Sequence, residues 1–417
     1  FYRMISKVGA MVREGHTYVQ RAPADKNEKY KILPFRVHVS VNRLLIQQSD
    51  IPANQWMEGA EILSINQRNT SNILQKISGS TGLKSGFNNS ALFNVLSQYN
   101  NFALAYYYFV DTSQDFVVEY ILPHQNQPQT IIVSGQLNSF FRQPFPIFRI
   151  EADPPVTLSI DNRSGIATLK VSTFAYWTVS FNKKKYFAFF NDCFAKLKHE
   201  NIHTLVIDVR NNRGGDETIA AELLTYLIPW EFKLYEHIKV NSLDFKVYNQ
   251  LSKNNLRLSA KDYIRTDSGF FKINDDLLRI FIPQRTNRFT GKVYFLANGG
   301  TCSAASTFLS LAQYHHVGKI VGQESGGIAK EVDGHQRIEL RLPYSGIKIS
   351  FPLWSLRIKT ANPEFARGVI PDYVITPTSA DLLSRRDVEM EFIYHLKKES
   401  ETHESDEGSE SKGGTQK

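Results

Sequence analysis

The chain has 417 residues, enough for two or three domains with substantial cores. Hydrophobic residues make up 42% and charged residues 22%, which excludes disorder of the whole chain, and no apolar run is long enough to span a membrane as a helix. The net charge is +8; the segment 401–417 carries −3, so the remainder carries +11. No basic run interleaved with aromatics and no nucleic-acid motif accompanies that excess, so nucleic acid is not expected as a partner. Cys193 and Cys302 allow one disulfide at most, and no Cys/His cluster has zinc-ligand spacing, so no metal or cofactor is expected.

Residues 1–13 place Met4, Ile5, Val8, Met11 and Val12 at helical spacing. The polar turn Glu14-Gly15-His16-Thr17 follows, then a short strand at 18–20, and 23–32 reads as a linker. Residues 33–136 contain mostly short strand signals, with FRVHVSVNRLLI alternating at period two and a short helix near 91–99. Residues 137–155, with four prolines, read as a connection. Beyond it the pattern alternates strand and helix. GIATLKVSTF, TLVIDVR, KVYFLAN and KIVGQ read as strands, and 185–200, 216–228 and 302–316 as helices. This predicts an α/β core with parallel strands. Residues 229–290 interrupt it as an insertion, and the tail 399–417 reads as disordered.

Two strand-to-helix junctions can carry chemistry. Gly214 and Gly215 end an apolar strand and precede a helix, so bare backbone N–H groups can face an anion there. Asp216 directly after them disfavours phosphate. The second junction, ANGGTCSAAS, sets Ser303 where a strand feeds a helix, the placement of a nucleophile elbow without its usual sequence. A serine hydroxyl needs a base. His315 and His316 end the same helix at its far end from Ser303; His16 stands in its polar turn, and spacing alone does not join it to Ser303.

The ordered set REGHTYV, EGAEILSINQ, GIATLKVSTF, LVIDVRNNRGG, VYFLANGGTCSAAS, GKIVGQESGG and ARGVIPDYVI resembles the C-terminal-processing (tail-specific) serine peptidases, especially the branch with a tricorn-like core. The resemblance implies a ClpP/crotonase-like α/β peptidase core over 156–385, a small β-rich PDZ-like domain over 33–136, and an N-terminal helical segment, 1–32, that contributes His16. It implies Ser303 as nucleophile, His16 as general base, Glu364 near the branch's catalytic glutamate, and an oxyanion hole from Gly214 or Gly215 with Ala304. It also implies a polypeptide substrate, whose C-terminus is one candidate ligand of the PDZ-like module, and an exported location in a bacterial periplasm or envelope. Two departures stand out. Many relatives use a lysine base about twenty-five residues after the serine; here Ile328 is near that place and Lys330 slightly beyond it, which keeps Lys330 as the alternative base. Gly15 replaces a serine that precedes the histidine in tricorn-like sites, and Glu324 and Asp216 are alternatives to Glu364 as its support. The same fold family includes non-catalytic retinoid-binding proteins, and the runs AYYYFV and FFRQPFPIF would suit such an apolar ligand; an esterase is a further alternative.

Overall fold

The computed structural model describes residues 1–21, 30–137, 154–252, 255–361 and 366–410. Its central layer is a six-stranded mixed sheet. The strands run in the order Val156–Asp161, Ile166–Val171, Thr204–Asp208, Lys292–Ala297, Lys319–Gly322 and Tyr373–Val374. Only the first pair is antiparallel. Thr204–Asp208 is buried at every position because both faces of the sheet are covered. Leu205 and Ile207 pack with the helices Lys183–His199, Glu217–Thr225 and Ala304–Tyr314, while Val206 packs on the other face with Ile393 of the helix Val388–Glu410. Arg210 ties that last helix to the sheet: it reaches Asp208 and Asp387 at 2.8 Å and Glu389 at 3.4 Å. This is the α/β core with parallel strands that the alternating pattern predicts. The helix Val388–Glu410 enters the stretch 399–417, expected to be disordered.

A second sheet is built around the long hairpin Glu331–Arg341 and Lys348–Arg357. The N-terminal strand Tyr18–Gln20 pairs with Ser350, Ile349 and Lys348, and His237–Val240 pairs with the far end of the same strand. Phe271–Ile273 and Tyr263–Arg265 extend it, so residues 229–290, read as an insertion, supply three of its strands. The helix Tyr2–Met11 packs through its small residues. Ser6, Gly9 and Ala10 are buried, whereas Met4, Val8, Met11 and Val12, at the predicted apolar spacing, are exposed. Gly9 lies against Val19, where an added Cβ would sit 2.9 Å from a Val19 methyl.

A third sheet runs Phe35–Ser40, Arg43–Ser49, Glu61–Ile65, Asp115–Ile121 and Gln129–Ser134. The period-two pattern appears as burial alternating along Phe35–Ser40. The helices Thr70–Ser78, Ser90–Leu96 and Asn101–Phe109 share its core. The helix Asn101–Phe109 lies in a region expected to be mostly strands: its aromatic residues favour strands intrinsically, but almost all of its side chains are buried, and packing decides. The AYYYFV run is therefore core; FFRQPFPIF lies outside the described residues. Lys31–Ile32, in the expected linker, pairs with Gln136–Leu137.

Candidate active site

The two junctions lie at the carboxyl ends of neighbouring parallel strands, Thr204–Asp208 and Lys292–Ala297, the edge of an open α/β sheet where ligands commonly bind. Their loops are fastened to each other. The Thr301 hydroxyl donates to the Val209 carbonyl at 2.9 Å, the Cys302 amide to the Asn212 carbonyl at 3.0 Å, and the Asn211 amide to Asn298 Oδ1 at 3.0 Å.

Ser303 has φ 54° and ψ −128°, a conformation that side-chain-bearing residues rarely adopt. Strain of this kind costs about 1–3 kcal/mol and persists where surrounding contacts enforce it. Ser303 is the N-cap of Ala304–Tyr314, yet its side chain makes no capping bond, so the hydroxyl is not spent on the helix. Beside it, Gly214 has φ +90° and an added Cβ would lie 2.8 Å from the Ala304 amide nitrogen and the Ser303 Cβ. Gly215 has φ +139°, and a Cβ there would come 2.1 Å from the Ala175 nitrogen, so only glycine fits. The Gly214 amide donates to Asn212 Oδ1 at 2.9 Å. The Gly215 and Ala304 amides find no acceptor among the described residues.

His16 arrives from the other end of the sequence. Its turn is clamped by the 80–88 loop: the Gly86 amide donates to the Arg13 carbonyl at 2.7 Å, and Gly82 lies so close to Thr17 that a Cβ would sit 2.2 Å from the Thr17 carbonyl oxygen. A Cβ on Gly15 would come 2.6 Å from Ser85 Oγ, so this fold puts the Ser85 hydroxyl where a side chain at position 15 would extend. The Nδ1 of His16 meets Glu14 Oε1 at 2.9 Å, the same oxygen accepts the His16 amide at 2.8 Å, and the Thr17 hydroxyl donates to Glu14 Oε2 at 3.1 Å. Glu14 thus fixes the ring's orientation and favours the tautomer whose Nε2 is a bare acceptor.

Ser303, His16, Gly214, Gly215 and Ala304 all line one cleft of about 1750 Å³. Leu45, Ile46, Gln47 and Gln48, from the strand Arg43–Ser49, border it from the third sheet. Lys330 is not among the described residues that line it. Glu364 lies outside the described residues. Glu324 accepts from Arg367 at 2.8 Å and from the Gly368 amide at 2.7 Å. Asp216 caps the helix Glu217–Thr225 and reaches Lys183 at 3.2 Å. Burial pushes the Asp216 carboxyl upward, but hydrogen bonds from Thr218 and the Lys183 charge outweigh it and leave it below the usual range. Glu14, not Glu324 or Asp216, is the carboxylate on His16. Its sequence signal was an acid two positions before the histidine in a tight turn.

Burial raises the Cys302 thiol, so the cysteine next to Ser303 is not a competing thiolate nucleophile. Burial, reinforced by Glu14 and Glu331, pushes Asp333 on the neighbouring hairpin up to about 6.

A strained serine heads a helix, the Gly215 and Ala304 amides beside it find no acceptor among the described residues, and His16 lines the same cleft; acyl transfer uses groups of these kinds. Residues 165–375 match Peptidase family S41, and the chain belongs to that family of serine peptidases. Among solved structures it is similar to mature CPAF complexed with lactacystin (TM-score 0.62, 14% identity, 95% of this chain and 87% of that one). It is similar also to the CPAF s499a mutant (TM-score 0.62, 14% identity, 95% and 86%). At that identity the likeness speaks for the fold. A comparison with curated proteins finds no match.

Proposed function

We propose that this serine peptidase is an endopeptidase that cleaves through an acyl-enzyme, with Ser303 as nucleophile, His16 as general base and Glu14 as the residue that positions His16. One observation carries this reading: two residues 287 positions apart in the sequence line the same cleft, the serine on a strained elbow and the histidine oriented through Nδ1. His16 Nε2 takes the hydroxyl proton as Ser303 Oγ attacks the peptide carbonyl. The Gly215 and Ala304 amides receive the oxyanion; their lack of other acceptors favours Gly215 over Gly214, whose amide is committed to Asn212. One such donor is worth roughly 2.7–4 kcal/mol in the transition state. The imidazolium then protonates the leaving amine, and water attacking the ester reverses the sequence and frees Ser303.

The position of Lys330 outside the described lining of the cleft favours the histidine over the lysine as base. Residues 33–136 act as a PDZ-like module. The strand Arg43–Ser49 borders the cleft, which supports capture of an extended peptide, a polypeptide terminus among its ligands, next to the site; because that strand is paired on both sides, strand addition takes place at an edge of the third sheet, Phe35–Ser40 or Gln129–Ser134. An exported location accords with the family and is tested by cell fractionation. Purified protein labels with a fluorophosphonate and hydrolyses an unfolded polypeptide; Ser303→Ala does neither. A wild-type protein that neither labels nor hydrolyses would overturn the reading in favour of a non-catalytic binder.

A further inference from the structure

Thr307 follows Ser303 by one helical turn, so both face the same side of the helix Ala304–Tyr314. It lines the cleft and is 2% exposed, and its hydroxyl has no hydrogen-bond partner among the described residues. A buried hydroxyl left without a partner is unusual and calls for an explanation. The same cleft is lined by Val332 and Leu356, which stand directly opposite each other in the hairpin, and by Glu217 and Tyr235. Ala304, Tyr235, Val332 and Leu356 belong to one packed apolar cluster. The Glu217 carboxylate lies beside the Tyr235 hydroxyl. The cleft wall beyond the nucleophile thus combines apolar sides with two hydrogen-bonding groups: a hydroxyl with unused capacity and a carboxylate.

Building on the peptidase reading above, we propose that Thr307, Glu217, Val332 and Leu356 form the recess for the side chain on the acyl side of the scissile bond, and that it selects a side chain with an aliphatic stem and a hydrogen-bond-donating end: lysine, arginine or glutamine. The stem lies against the paired side chains of Val332 and Leu356. The end group donates to Thr307 Oγ1 and to the Glu217 carboxylate, which can accept further donors beside Tyr235. A site built to pair a substrate's polar group discriminates strongly against an analogue that lacks it, because the site's own groups are then buried unpaired.

The test compares three peptides that differ only at that position: lysine, glutamine, and norleucine, which keeps the stem and lacks the donor. With the full-length protein, kcat/KM for lysine and glutamine exceeds that for norleucine by roughly tenfold or more. Thr307→Val reduces both advantages, and Thr307→Ser, which keeps the hydroxyl, preserves them. Glu217→Gln reduces the lysine advantage more than the glutamine advantage. Fluorophosphonate labelling of Ser303 is measured in parallel. Labelling and hydrolysis with norleucine equal or preferred would overturn the recess alone and leave the peptidase reading standing. Loss of both labelling and hydrolysis in the wild type would overturn the peptidase reading and the recess with it.

Discussion

The serine and the histidine reach the cleft by different means. Ser303 and Gly215 grow out of adjacent, fully paired strands of the central sheet, whose loops are hydrogen-bonded to each other. His16 is carried on a turn between a ten-residue helix and a three-residue strand, fixed by contacts with the 80–88 loop and the hairpin. Ser303 and the amides beside it, the proposed nucleophile and oxyanion donors, are therefore built into the core. His16, the proposed base, is docked onto it, and its alignment depends on small residues packing at Gly9, Gly82 and Gly86. On that proposal, a peptidase divided in this way can lose its base through local fraying while the proposed oxyanion donors stay in place.

The largest effects separate chemistry from scaffold. Ser303→Ala lowers kcat for peptide hydrolysis by roughly 10⁴–10⁶-fold, measured with a fluorogenic peptide, with thermal unfolding still cooperative. His16→Ala has an effect of the same order, whereas Lys330→Ala stays within about threefold. A large loss at Lys330 with a small one at His16 would reverse the assignment of the base.

Gly215→Ala tests the rigid half. Its Cβ would meet the Ala175 backbone at 2.1 Å, so the variant loses about 3 kcal/mol or more in urea unfolding, along with activity. Glu14→Gln tests the docked half. It keeps the bulk of the side chain but weakens its hold on Nδ1, and lowers kcat roughly 10–100-fold with KM nearly unchanged. Equal kcat would remove Glu14 from the mechanism.

The smallest effect is on stability. The Asp333 carboxyl titrates near 6 in the folded protein, chiefly through burial and then through Glu14 and Glu331, against about 3.9 in an unfolded polypeptide. The folded state holds that proton more tightly, so ionised Asp333 destabilises the fold above about pH 6, and the effect is gone below about pH 4. Asp333→Asn therefore stabilises the protein at pH 7 by about 1–3 kcal/mol and leaves it unchanged at pH 3.5, read from unfolding at the two pH values. A gain of equal size at both pH values would rule out the carboxyl as its source.

The α/β core was legible because its strands and helices announce themselves locally. Thr204–Asp208 is buried on both faces, which its apolar centre Leu205–Ile207 announces, and the glycines mark where its loop must turn. The elbow at Ser303 followed from the same local grammar. The helices of the third sheet were less legible, since the aromatic residues of Asn101–Phe109 carry a strand preference that only burial overrides.

The sequence alone placed Ser303 and the glycines near it at strand-to-helix junctions, because a tight turn is a short-range demand of backbone geometry, and it carried the family resemblance in the order of its motifs. Only the tertiary structure decided that Glu14 holds His16 and that, among the described residues, the Gly214 amide has an acceptor while the Gly215 amide and the Thr307 hydroxyl have no partner. These are questions of which hydrogen-bonding groups find partners. The partners come from segments far apart in the sequence or from side-chain orientations that spacing does not encode, so the answer exists only once the polypeptide has packed.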